Sequence, residues 1–130
     1  MTKTEGGTKT TAGARSPITT HVLDTARGRP AGGVPVTLAA RSGPTPDGWR
    51  EIARGRTDED GRVRDLLAPG STLPAGVYRL TFDTGAYFRA LGVEGFYPHA
   101  EVVFEIRNPA EHHHVPLLLS PYGYSTYRGS

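Results

Sequence analysis

The sequence predicts an all-β sandwich of about eight short strands with one short helix. Three observations point there. Apolar residues alternate at period two within short segments. Chain breakers interrupt those segments throughout, with 17 Gly and 11 Pro among 130 residues and no collagen-like period. Only one segment has helical spacing. The length suits one domain, and 36% apolar residues suffice for a core.

The elements follow in order. Residues 1–15 hold no large apolar side chain after Met1, so they are expected to form a flexible tail before a domain at 16–130. Ile18 to Asp24 reads as a strand with Thr19, His21 and Leu23 on one face. Arg27 to Pro30 is a turn. Val34 to Ala40 is a second strand with Val34, Val36 and Leu38 inward, and Pro35 places it at a sheet edge. A loop over Ser42 to Gly48 leads to a third strand, Trp49 to Thr57. Asp58-Glu59-Asp60-Gly61 reads as a hairpin turn with Arg62 to Leu67 returning. After a loop over Pro69 to Gly76, Val77 to Phe82 is the fifth strand. Tyr87, Phe88 and Leu91 are helically spaced, giving a helix over Thr84 to Leu91 with Thr84 as N-cap and Gly92 as C-cap. Pro98 to Ile106, His112 to Ser120 and Tyr124 to Tyr127 complete the strands.

Composition narrows the function. The absence of Cys excludes a disulfide framework, a thiolate nucleophile and Cys-based metal sites. No apolar run approaches a membrane span and the N-terminus has no apolar signal region, so a cytoplasmic protein is expected. The basic pI of 9.2 hints at nucleic acid. The excess positive charge, however, lies in Lys3, Lys9 and Arg15, against Glu5. Residues 16–130 balance 12 Arg against 12 acids and contain no Lys. Neither nucleic acid nor a membrane is therefore expected as a partner.

Histidine is the side chain that exchanges protons near neutral pH without special tuning. The five are His21, His99, His112, His113 and His114. On a strand His112 and His114 share a face and His113 takes the other. A three-His zinc site from His21, His112 and His114 is the sharper alternative, but His-x-His arises readily by chance, so no metal is expected. Asp58-x-Asp60-Gly61 lacks the distal Glu of a calcium loop and reads as a turn. No P-loop, G-x-G-x-x-G or G-x-S-x-G is present. Tyr122, Tyr124 and Tyr127, then Arg128, crowd the last nine residues. That segment is either a closing edge strand or a terminus docked into a site.

These residues carry a resemblance. Tyr124-Ser125-Thr126-Tyr127-Arg128-Gly129-Ser130 resembles the terminal signature of the 5-hydroxyisourate hydrolases, transthyretin-related enzymes of purine breakdown. Thr20 to Asp24 resembles their opening strand, and Thr57 to Arg62 their T-x-x-D-G-R turn. His112 to Ser120 resembles their H-x-H-V-P-L-L-L-S strand. The likeness covers residues 18 to 130. It implies a transthyretin-like sandwich of two four-stranded sheets with one short helix. It also implies a homotetramer, a dimer of dimers with active sites in the channel between dimers. Transthyretin, the hormone carrier of the same fold, lacks the terminal Y-R-G-S and the catalytic His and Arg set that this sequence keeps.

The implied reaction is hydrolysis of 5-hydroxyisourate to 2-oxo-4-hydroxy-4-carboxy-5-ureidoimidazoline, without cofactor. The resemblance carries catalytic roles to His21, Arg62, His114 and Ser130. It carries substrate binding to His21, Arg62, Tyr127, Arg128, Gly129 and Ser130, with a supporting role for His112. Either His21 or His114 is the base that activates water, and Arg62 stabilises the developing charge.

Overall fold

Wherever the alternation holds, strands form. The computed structural model describes residues 15–44 and 47–130. Its elements are β1 (Ile18–Asp24), β2 (Arg29–Pro30), β3 (Pro35–Arg41), β4 (Trp49–Arg56), β5 (Arg62–Val63), β6 (Gly76–Phe82), α1 (Thr84–Leu91), β7 (Ala100–Ile106), β8 (His113–Ser120) and β9 (Gly123–Thr126). Residues 1–14 of the expected 1–15 tail and positions 45–46 of the expected loop lie outside the described residues.

Two sheets pack face to face, as expected for a sandwich. One runs β2-β1-β8-β9, with β5 also paired to β1, and the other runs β4-β3-β6-β7. The first sheet therefore has a fifth strand beyond the four expected. Ile18, Val22, Leu38, Leu80, Phe82, Ile106 and Leu117 fill the space between the sheets and are fully buried. Buried Thr20 and Tyr87 have partners for their hydroxyls. The Thr20 hydroxyl donates to the Val115 carbonyl at 2.5 Å, and the Tyr87 hydroxyl donates to the Asp24 carboxylate at 2.7 Å. The second bond ties α1 to the first sheet.

Three local expectations change. Pro35 is not on an edge strand, because β3 lies between β4 and β6. It is tolerated as the first residue of the strand, where its carbonyl still accepts from Asp83 N–H at 2.9 Å. Residues 62–67 do not form a hairpin return against β4. Only Arg62 and Val63 form strand, and they pair with β1, so the Asp58–Gly61 turn carries the chain from one sheet to the other. The N-cap of α1 is Asp83, whose carboxylate accepts from Ala86 N–H at 3.0 Å, rather than Thr84, which is buried. Gly92 caps the C-terminus in the left-handed conformation at φ 69°, as expected.

Candidate active site

Three strands bring the chemistry together. β1 turns its even-numbered residues into the core and leaves Thr19 and His21 half-buried on the other face. β8 runs parallel to β1 with Thr19 opposite His114, so the two side chains share that face. β5 lies antiparallel on the other edge of β1 with Arg62 opposite His21.

The sequence of the turn explains why Arg62 arrives there. The Asp58 carboxylate accepts from the N–H groups of Asp60 at 2.9 Å and Arg62 at 3.0 Å, and from the Arg64 guanidinium at 3.0 Å. Those donors hold the Asp58 carboxyl below its ordinary range. Gly61 sits at φ 77°, and a Cβ there would strike the Val22 carbonyl oxygen, so only glycine fits this crossing.

A cleft of about 280 Å³ opens over this face. Thr19, Arg62, His112, His114 and Ser130 line it, and Arg15 and Arg64 add two more cations. No Asp or Glu side chain lines it among the described residues. Thr19 Oγ1 lies 2.9 Å from His112 Nε2 and 2.8 Å from His114 Nδ1. His112 Nδ1 lies 2.9 Å from the Ser16 carbonyl. The chain end reaches the cleft because Gly129 N–H donates to the His114 carbonyl at 2.8 Å. A Cβ on Gly129 would come within 2.6 Å of His114 Cδ2, so glycine lets the terminal segment lie flat on the imidazole.

The other expected residues do not line this cleft. His21 is outside its lining and donates from Nε2 to the Asp60 carbonyl at 2.9 Å. Tyr127 and Arg128 line a second cleft of about 250 Å³, with Phe104, His113 and His114, the last of which also lines the first cleft. The Arg128 guanidinium there pairs with Glu111 at 3.2 Å. His113 faces the sandwich interior and is buried, with its Nδ1 unpartnered among the described residues. No group of three His, Cys, Asp or Glu suited to a metal ion occurs among the described residues.

Burial and surrounding cations set the protonation states. Desolvation first, then Arg62, His112 and His21, push the His114 pKa below the ordinary imidazole value. Desolvation and Arg15 lower that of His112, and desolvation and Arg62 lower that of His21. All three imidazoles are thus biased towards the neutral form, which accepts protons. The arginines offer fixed positive charge beside them.

The HIUase/Transthyretin family profile matches residues 18–129. The chain belongs to this family. It is 50% identical over 115 residues to the 5-hydroxyisourate hydrolase of Mus musculus, covering 88% of this chain and 96% of that protein. The solved structure of Klebsiella pneumoniae 5-hydroxyisourate hydrolase is 38% identical, with a TM-score of 0.76 over 90% of this chain and 99% of that one. Sea bream transthyretin in complex with thyroxine is 39% identical, with a TM-score of 0.77 over 88% and 95%. Within this HIUase/Transthyretin scaffold, Arg15, Thr19 and Arg64 are cleft residues that the sequence reading did not assign. Two of the three carry a weak signal in the sequence: Thr19 shares a strand face with His21, and Arg64 lies two residues beyond Arg62.

Proposed function

We propose that this protein hydrolyses 5-hydroxyisourate in urate breakdown, using the cleft built from His114, Arg62 and Ser130. One observation carries the reading: a proton-accepting imidazole, a guanidinium and the terminal serine, with its hydroxyl and carboxylate, line one cleft. The names of the relatives support the same reaction.

The chemistry divides among these groups. His114 takes a proton from water as the oxygen attacks a ring carbonyl carbon. Arg62, with Arg64 beside it, stabilises the tetrahedral oxyanion. When the C–N bond breaks, the imidazolium of His114 returns the proton to the leaving nitrogen. His21 flanks Arg62 and, held by the Asp60 carbonyl, serves in binding and orientation. Ser130 donates its hydroxyl to substrate or water. Tyr127 and Arg128 approach the substrate from the second cleft, which shares His114 with the first. His112 supports His114 through Thr19. No metal or organic cofactor takes part in this scheme.

The homotetramer is part of the proposal. The two sheets end in open edges at β7 and β9, and exposed Val103, Tyr124 and Tyr127 lie on or beside them. No helix is long and apolar enough to cross a membrane among the described residues. We place the working domain at 16–130 and the protein in the cytoplasm.

The test follows absorbance of 5-hydroxyisourate made in situ from urate by urate oxidase. The protein should speed the decay well beyond the spontaneous rate. A decay rate unchanged at catalytic protein concentrations would refute the proposal.

A further inference from the structure

Thr19 and His112 take part in no bond-making step of the reaction above, yet they form a continuous hydrogen-bonded chain in the cleft. It runs from the Ser16 carbonyl to His112 Nδ1 at 2.9 Å, from His112 Nε2 to Thr19 Oγ1 at 2.9 Å, and from Thr19 Oγ1 to His114 Nδ1 at 2.8 Å. We infer that Thr19 and His112 are positioning residues that fix the tautomer of His114 and leave its Nε2 lone pair free to act as the base. The catalytic part of this inference rests on the hydrolase reading above.

The direction of each bond follows from donor and acceptor inventory. A carbonyl only accepts, so His112 donates to Ser16 from a protonated Nδ1. A neutral imidazole with Nδ1 protonated has its lone pair on Nε2. That lone pair accepts the single hydrogen of the Thr19 hydroxyl. Thr19 Oγ1 then has only lone pairs left for His114, so His114 Nδ1 must be the donor. Neutral His114 therefore carries its remaining lone pair on Nε2. No hydrogen bond to that nitrogen forms among the described residues. The lowered proton affinity of both rings agrees with this neutral arrangement.

The chain also serves the reaction itself. When His114 Nε2 takes a proton from water, an O–H bond breaks and an N–H bond forms. The new imidazolium keeps its Nδ1–H bond to Thr19. No other proton in the chain has to move, so the chain is preorganised for both charge states. Gly129 on one side of the ring and Thr19 at Nδ1 together hold the imidazole in place. The charged and titratable groups around it are Arg62, His112 and His21, with Arg15, Arg64 and the terminal carboxylate of Ser130 lining the same cleft.

The tautomer is readable without turnover. Long-range ¹H–¹⁵N correlation on the ¹⁵N-labelled full chain, at a pH where His114 is neutral, should show Nδ1 protonated and Nε2 bare. Thr19→Val keeps the shape but removes the hydroxyl, and should shift His114 towards the opposite tautomer. Its kcat should fall by about tenfold or more, towards the ~10²–10⁴-fold cost of losing a general base, with KM little changed. Thr19→Ser should restore tautomer and rate. An Nε2–H tautomer in the unmodified protein overturns the inference, as does a folded Thr19→Val with unchanged tautomer. The expected tautomers without any hydrolysis would support the chain and refute the hydrolase reading instead.

Discussion

Arg62 faces His21 because Asp58 folds the chain back within four residues and Gly61 permits the crossing. Its guanidinium is the cation nearest in effect to both site histidines after their own burial. Arg62→Ala should cost roughly 10²–10³-fold in kcat, the range for removing one oxyanion donor, while circular dichroism stays native. Near-normal turnover in the folded variant would remove Arg62 from the mechanism. Gly129 makes a sharper test, since it carries no reactive group. Gly129→Ala drives a methyl into His114 and should abolish most activity with little change in unfolding temperature. Full activity in Gly129→Ala would mean that the terminal segment need not lie on the imidazole. At this scale the sequence named His21, His112, His114, Arg62 and Ser130 from motifs. Thr19 escaped because its role depends on a partner 95 residues away, on a strand pairing that no local pattern reveals. The ion pair of Arg128 with Glu111 is a contact between residues 17 apart that no local pattern shows.

At the scale of elements, β1, β3, β4, β6, β7, β8 and α1 were legible because each is long enough to show its period. β5 was not. Two residues carry no period, and the run to Leu67 suggested a return strand that tertiary pairing with β1 overrides. Pro35 misled because a proline at a strand's first residue and one at a sheet edge read alike. The N-cap was displaced by one residue, since Asp83 and Thr84 both have side-chain oxygens suited to capping. The geometry selects Asp83, so Asp83→Ala should destabilise the fold by about 0.5–2 kcal/mol while leaving turnover unchanged. Thermal unfolding of Asp83→Ala beside Thr84→Ser checks this. Equal stability of Asp83→Ala and the native protein would contradict the capping role.

For the whole molecule, the lowered proton affinities of His21, His112 and His114 tie stability to pH. Their folded values lie below the unfolded value of ~6.5, so within that window the unfolded chain binds more protons. Stability should be fully present above ~6.5 and fall as pH drops towards the folded values. Melting temperature measured against pH should decline there. A flat profile across the window would contradict the neutral, partly desolvated imidazoles. Assembly adds a second expectation. Light scattering coupled to size-exclusion chromatography should give about four times the 13.9 kDa chain mass. A monomer would leave the open β7 and β9 edges without their proposed cover. In the proposed mechanism this protein opens 5-hydroxyisourate with His114 as its base. The most direct measurement compares native protein and His114→Ala on 5-hydroxyisourate made in situ, at matched concentration and neutral pH. Native protein should accelerate the decay, and His114→Ala should lose roughly 10²–10⁴-fold of that acceleration. Equal acceleration by the two proteins would contradict the account.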